Sequence, residues 1–191
     1  MNATPSFLIL SLLAAAAAQA PATQPNGSPA PAAAAPSAPP QAARPTVGQA
    51  APSFSAASTA DKTVTLADFK GKQTLVLAFF PKAFTGGCTK EMSGLRDRFK
   101  EFQEAGAQVM GISRDTLDIQ KNFATSLTLP FPLLADPDGT VARAYGVDMG
   151  PYAARVTFVI GSDGKVKQVI EGKDAIDPAG ALSACPRKAK T

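Results

Sequence analysis

The apolar run Leu75-Val76-Leu77-Ala78-Phe79-Phe80 leads straight into Pro81-Lys82-Ala83-Phe84-Thr85-Gly86-Gly87-Cys88-Thr89-Lys90-Glu91. An unbroken run of this kind reads as a strand covered on both faces. Beyond it the pattern changes. Met92, Leu95, Phe99 and Phe102 recur at helical spacing with charged residues opposite, which predicts a helix over 88–105, ended by Gly106. A cysteine therefore stands in the first turn of a helix, just after a buried strand.

Downstream the alternation continues. Residues 109–112 read as a strand, and Ile119, Phe123 and Leu127 mark a second helix. A short strand over 131–134 precedes the turn Asp136-Pro137-Asp138-Gly139 and a short helix near 141–145. Strands over 156–160 and 166–170 flank Ser162-Asp163-Gly164-Lys165, a hairpin signal, and a helical stretch near 178–184 closes the chain. Upstream, Val64-Thr65-Leu66 is a short extended piece. The order β-α-β-α-β-α-β-β predicts an α/β fold, a mixed central sheet flanked by helices and ending in an antiparallel hairpin.

The N-terminal part has a different character. Phe7 to Ala18 is apolar but, at about 12 residues, short for a membrane span. With Ala18-Gln19-Ala20 behind it, residues 1–20 read as a secretory signal, cut after Ala20 or Ala18, although no Lys or Arg precedes the apolar stretch. The expectation is a periplasmic or secreted protein, or a membrane-tethered one if the signal stays uncleaved. Residues 21–45 are rich in Ala and Pro and offer nothing bulky to bury, so they read as a disordered linker, leaving 46–191 as the folded domain.

Composition removes much chemistry. The chain has no His, which excludes a Ser-His-Asp triad, a Cys-His pair and His-ligated zinc. Its two cysteines, Cys88 and Cys185, are too far apart for a CxxC pair and too few for a metal cage, so no metal or cofactor is expected. The net charge of +4 is mild; the basic residues Arg187, Lys188 and Lys190 read as a solvated tail, and no basic stripe suggests nucleic acid.

What remains is thiol chemistry at Cys88. The helix dipole and unpaired amides of a helix start favour a thiolate, and Gly86 and Gly87 let the backbone come close with its N–H groups turned inward. A free thiol is only ~3% ionised at pH 7, and lowering its pKa by two units takes about 2.7 kcal/mol. A helix terminus supplies roughly 0.3–1 kcal/mol. A nearby cation is therefore required, and without His it must be Arg or Lys. Arg155 immediately precedes the strand over 156–160 and can reach back across the sheet; its fork also matches two oxygens in line.

The segment resembles the active-site loop of the peroxiredoxins, Pro-x-x-x-Thr-x-x-Cys, met here by Pro81, Thr85 and Cys88. Thr89-Lys90-Glu91 and Leu95-Arg96-Asp97 are similar to the bacterioferritin-comigratory, or Q-type, branch. The likeness runs through Val109–Ser113, Leu129–Leu134 and Ala144–Val147 to Arg155-Val156-Thr157-Phe158-Val159-Ile160. It implies a thioredoxin-like fold and a thiol peroxidase acting on hydrogen peroxide and organic hydroperoxides. Cys88 would become a sulfenic acid, Thr85 and Gly87 would bind the peroxide, Arg155 would hold thiolate and peroxide, and Pro81 would shield the pocket. Glu91 reads as a complement to the helix dipole. It further implies a thioredoxin-like or small-thiol reductant and a monomer or weak homodimer.

The chain departs from the pattern in two places. Gly86 stands where the family often has Pro, and Ser93 stands where many Q-type members carry the resolving Cys. Resolution then falls to Cys185, followed by Pro186 and acting within or between chains, or to an external thiol. Two other readings stay open: a thiol-disulfide oxidoreductase, and a non-catalytic holdase or binding module on the same scaffold.

Overall fold

The computed structural model describes residues 40–186; the expected signal, most of the linker and the basic tail lie outside them. A sheet of seven strands in the order β2-β1-β5-β4-β3-β6-β7 forms the frame. In chain order these are β1 (Ser55–Ser58), β2 (Lys62–Thr65), β3 (Thr74–Phe79), β4 (Ala107–Ser113), β5 (Leu133–Ala135), β6 (Val156–Ile160) and β7 (Val166–Glu171). Strands β3, β4 and β5 run parallel, β6 pairs antiparallel with β3 and β7 antiparallel with β6, and β1 and β2 form an antiparallel hairpin beside β5. The thioredoxin-like mixed sheet inferred from the sequence is the observed one.

All residues of β3 are buried, because helices cover both faces of the sheet. Alternation along the strand sorts them. Leu75, Leu77 and Phe79 face α4 (Thr140–Ala144) and its flanking Tyr145. Val76, Ala78 and Phe80 face α1 (Gly86–Asp97), α2 (Phe99–Glu104), α3 (Leu117–Ser126) and α5 (Pro178–Ser183). Cys88 belongs to this second core.

The fold corrects the sequence reading in several places. The helix expected over 88–105 is broken at Arg98, whose backbone leaves the helical region at φ −107° and ψ 12°. Phe99 and Phe102 still reach the core, so the apolar spacing conceals the break. Strand β1, Ser-Ala-Ala-Ser, was not anticipated, since it has no bulky residue to mark it. Its partner β2 ends at Thr65, and Leu66 belongs to a short 3-10 turn rather than an extended piece. The third parallel strand starts at Leu133 rather than at residue 131. The end of the linker also docks on the domain. Ala42 donates its amide to the Arg143 carbonyl at 3.0 Å, and Arg44 pairs with Glu171 at 2.5 Å. Among the described residues no helix is long and apolar enough to cross a membrane.

Gly111 in β4 sets how closely α1 lies on the sheet. A Cβ there would meet Leu133 Cδ2 at 2.7 Å and Met92 Sδ at 2.9 Å, and neither side chain has exposed surface to retreat into. Gly111→Ala should therefore destabilise the domain by about 1–3 kcal/mol through overpacking, read as a lower urea midpoint at unchanged slope.

Candidate active site

Register and alternation bring the site together. Val156 pairs with Phe79, so the preceding Arg155 comes level with Phe80, where the chain leaves β3 for the Cys88 loop. Val156 and Phe79 face the α4 side, so Arg155 faces the side that carries α1 and Cys88. The turn before Arg155 is closed by hydrogen bonds from Ala154 N to Val147 O at 2.7 Å and Met149 N to Tyr152 O at 2.9 Å. Asp148 in that turn is clamped by Arg114 at 3.1 Å and Arg143 at 3.6 Å.

At the focus, Arg155 Nη2 donates to Cys88 Sγ at 3.3 Å, and Arg155 Nη1 donates to Glu91 Oε2. Cys88 is the third residue of α1, so its amide lies among those without a helical partner. Cys88 and Glu91 are both 0% exposed. Gly87 allows the guanidinium to lie against the helix start, since a Cβ there would sit 3.0 Å from Nη2. Gly86 meets no such neighbour, so the close approach expected of both glycines belongs to Gly87.

Glu91 corrects a second expectation. It does not simply complement the dipole: it is enclosed and holds the arginine. Burial pushes its carboxyl up, Arg155 pulls it only part of the way back, and it stays at about 8. Its Oε1 has no hydrogen-bond partner among the described residues. Burial works against the Arg155 charge, but Glu91 and the Cys88 sulfur more than offset it and hold the guanidinium above its ordinary value. The sequence carried a signal for this. Glu91 lies three residues after Cys88 and four before Leu95, on the apolar stripe of α1 rather than its charged face.

The loop from Pro81 to Thr85 is held from several sides. Thr85 precedes α1 without capping it; its Oγ1 donates instead to the Lys82 carbonyl at 2.9 Å. Pro81 is half-buried at the loop entrance. Phe84 has φ +61°, a left-handed conformation that costs a bulky residue roughly 1–2 kcal/mol. Its ring lies 5.0 Å from that of Phe123, centroid to centroid. The amide of Ala83 donates to the buried carboxylate of Asp115 at 2.8 Å. Sequence reasoning missed Asp115, because nothing in the spacing between residues 83 and 115 announces the contact.

The fold holds Cys185 apart from Cys88 within the chain. Its neighbours Ala184 and Pro186 line a groove with Thr74 and Gly161, at the end of β3 opposite Cys88. The strand alone spans about 17 Å at ~3.3 Å per residue, whereas a disulfide needs Cα atoms within about 7 Å. Cys185 is buried, its Sγ donates to the Ala181 carbonyl at 3.3 Å, and burial pushes its thiol up to about 11.

A buried cysteine at a strand-to-helix junction, gripped by a guanidinium from the residue just before an adjacent antiparallel strand, defines a class with known members. The AhpC/TSA family model matches residues 47–169, and the chain belongs to that family, the peroxiredoxins. Within it the chain falls in the bacterioferritin-comigratory, or Q-type, branch. It is 39% identical over 131 residues to a putative peroxiredoxin Bcp of Coxiella burnetii, covering 64% of this chain and 86% of the relative. It is 39% identical over 132 residues to peroxiredoxin Bcp of Escherichia coli, covering 65% and 84%. Among solved structures, peroxidoxin BcpB of Mycobacterium tuberculosis superposes with TM-score 0.71 at 35% identity, covering 74% of this chain and 97% of that one. Peroxiredoxin Q of Xanthomonas campestris gives 0.64 at 29% identity, covering 69% and 89%.

The enclosure of Glu91 has a measurable consequence. The folded state binds this proton more tightly than the unfolded chain. The associated stability is full below the ordinary value of 4.5 and is lost as pH rises through about 8. Glu91→Gln cannot ionise, so the wild type should lose stability relative to that variant across this window, seen in urea midpoints at a series of pH values. A wild-type midpoint that keeps level with that of the variant, or rises relative to it, as pH increases would contradict enclosure as the cause.

Proposed function

We propose that the chain is a thiol peroxidase that reduces hydrogen peroxide and organic hydroperoxides at Cys88. The observation that carries the reading is the Arg155 guanidinium 3.3 Å from an enclosed sulfur at a helix start, in a member of the peroxiredoxin family. The cysteine sulfur attacks one peroxide oxygen, the O–O bond breaks, and the other oxygen leaves with the electron pair and takes a proton as water or alcohol. Cys88 becomes a sulfenic acid.

Charge moves from sulfur to the departing oxygen, and fixed donors stabilise it along that path. Arg155 supplies N–H groups at the sulfur, and the Gly87 amide adds a further donor at the helix start. Thr85 Oγ1 spends its proton on the Lys82 carbonyl and so presents lone pairs, which accept a hydrogen bond from the incoming hydroperoxide. Pro81 keeps bulk water from the pocket.

Resolution comes from outside the chain in this reading. Position 93 is Ser and Cys185 lies at the far end of β3, so a thiol of a thioredoxin-like protein or a small molecule condenses with the sulfenic acid and releases water. A second thiol then returns Cys88 and leaves as a disulfide. The signal-like residues 1–20 support action in the periplasm or outside the cell; a mature N-terminus at Pro21 or Gln19 in a periplasmic extract would match this, and an intact Met1 in the cytosol would not.

One equivalent of peroxide should add a single oxygen to Cys88, trapped by dimedone and located by peptide mass. Cys88→Ser should abolish turnover, and Arg155→Gln should slow Cys88 oxidation by about 10²-fold. Cys185→Ser should keep its turnover with an added thiol. Full peroxidase activity in Cys88→Ser would end the reading.

A further inference from the structure

From the buried polar network behind the Cys88 loop we infer that Asp115 is a positioning residue for the peroxide reaction: it fixes the loop that presents Thr85 and Cys88. The inference rests on the peroxidase reading and names a residue that acts through that loop rather than on the peroxide.

The network runs from the sheet to the loop without a gap. Gln120 on α3 donates to the Leu134 carbonyl of β5 at 2.9 Å and to Ser113 Oγ at 2.8 Å. Ser113, the last residue of β4, donates to Asp115 Oδ2 at 2.7 Å and accepts from the Asp115 amide at 3.2 Å. The same Asp115 Oδ2 accepts from Ala83 N at 2.8 Å. Ser113 and Gln120 are fully buried and Asp115 is 9% exposed. Each link is thus shielded from competing water, and a charged acceptor makes the last one strong.

The place where the network ends explains its use. Ala83 directly precedes Phe84, whose backbone sits in the left-handed region, and Phe84 directly precedes Thr85. A bulky residue keeps that conformation only where its surroundings over-determine it. The Phe84 ring on Phe123 holds one side of the residue, and the Ala83 amide on Asp115 holds the other. Freed from Asp115, the loop can relax through Phe84, which moves Thr85 and its Lys82 contact away from Cys88. Arg114, between Ser113 and Asp115, ties the turn leading to Arg155 through Asp148, so the residues at the end of β4 hold both the Cys88 loop and the turn before Arg155.

The geometry also dictates which substitution is tolerated. One oxygen receives both the Ala83 and the Ser113 bonds, so an amide oxygen in its place can accept both. Asp115→Asn should therefore react with peroxide within about threefold of wild type, while Asp115→Ala should lose about 30-fold or more, since misplacement by an ångström costs on that order. Alkylation of Cys88 by iodoacetamide needs the sulfur but not Thr85 or the loop, so it should stay within about threefold in both variants.

The experiment measures, by stopped flow, oxidation by hydrogen peroxide and alkylation of Cys88 in wild type, Asp115→Asn and Asp115→Ala. It adds hydrogen exchange at the Ala83 amide in the unmodified protein, so a variant that does not fold cannot leave the matter undecided. The proposal holds if peroxide reactivity falls in Asp115→Ala alone, alkylation persists, and the Ala83 amide is protected. It is overturned if Asp115→Ala reacts with peroxide like wild type, if Asp115→Asn loses as much, if alkylation falls in parallel, or if the Ala83 amide exchanges freely. A wild type that does not react with peroxide would instead sink the peroxidase reading.

Discussion

Arg155 donates one N–H to the Cys88 sulfur and another to the Glu91 carboxylate, and both of those partners are shut off from water. Such a cluster of enclosed ionisable groups is costly to assemble and costlier to break, because removing one member leaves another buried without its hydrogen-bond partner. The surrounding architecture answers that requirement. Helix α1 supplies sulfur and carboxyl from adjacent turns, and the residue just before β6 supplies the cation, placed by the register of β6 with β3. A slip of one residue in that register would turn Arg155 to the opposite face of the sheet.

Small residues make the approach possible. Gly87 lets the guanidinium lie against the helix start, and Gly111 lets α1 settle on the sheet at the depth where Met92 and Cys88 are enclosed. Polar links then hold the loop between strand and helix. Asp115 reaches it from the end of β4, and Thr85 folds its hydroxyl back onto Lys82. The rigidity of the loop is borrowed from the sheet, which fits the left-handed backbone at Phe84.

Much of this was legible in the residues. The LVLAFF run, the helical spacing after Cys88 and the Asp163-Gly164 hairpin announce local periodicities, and β3, α1, β6 and β7 follow them. Arg155 could be named because a chain without His leaves few cations for a thiolate, and its place just before a strand constrains its direction. The misses have physical causes too. Strand β1 is made of Ser and Ala and is specified by its neighbours. The break at Arg98 leaves the apolar spacing intact, so periodicity cannot report it. Asp115 and Cys185 depend on contacts distant in sequence, and only the fold reveals that one joins the site while the other sits at the opposite end of β3. Glu91 was within reach, since its place on the apolar stripe of α1 already set it apart from a surface carboxylate.

Having guanidinium where many thiol sites use imidazole sets how the pocket meets its surroundings. Imidazole gains and loses its charge within the range that ordinary environments span, whereas guanidinium stays cationic throughout it. The positive side of the site therefore behaves as a permanent fixture. Acidity reaches the arginine through Glu91, the enclosed carboxyl that accepts its second N–H, so pH acts on the partner of the cation and not on the cation itself.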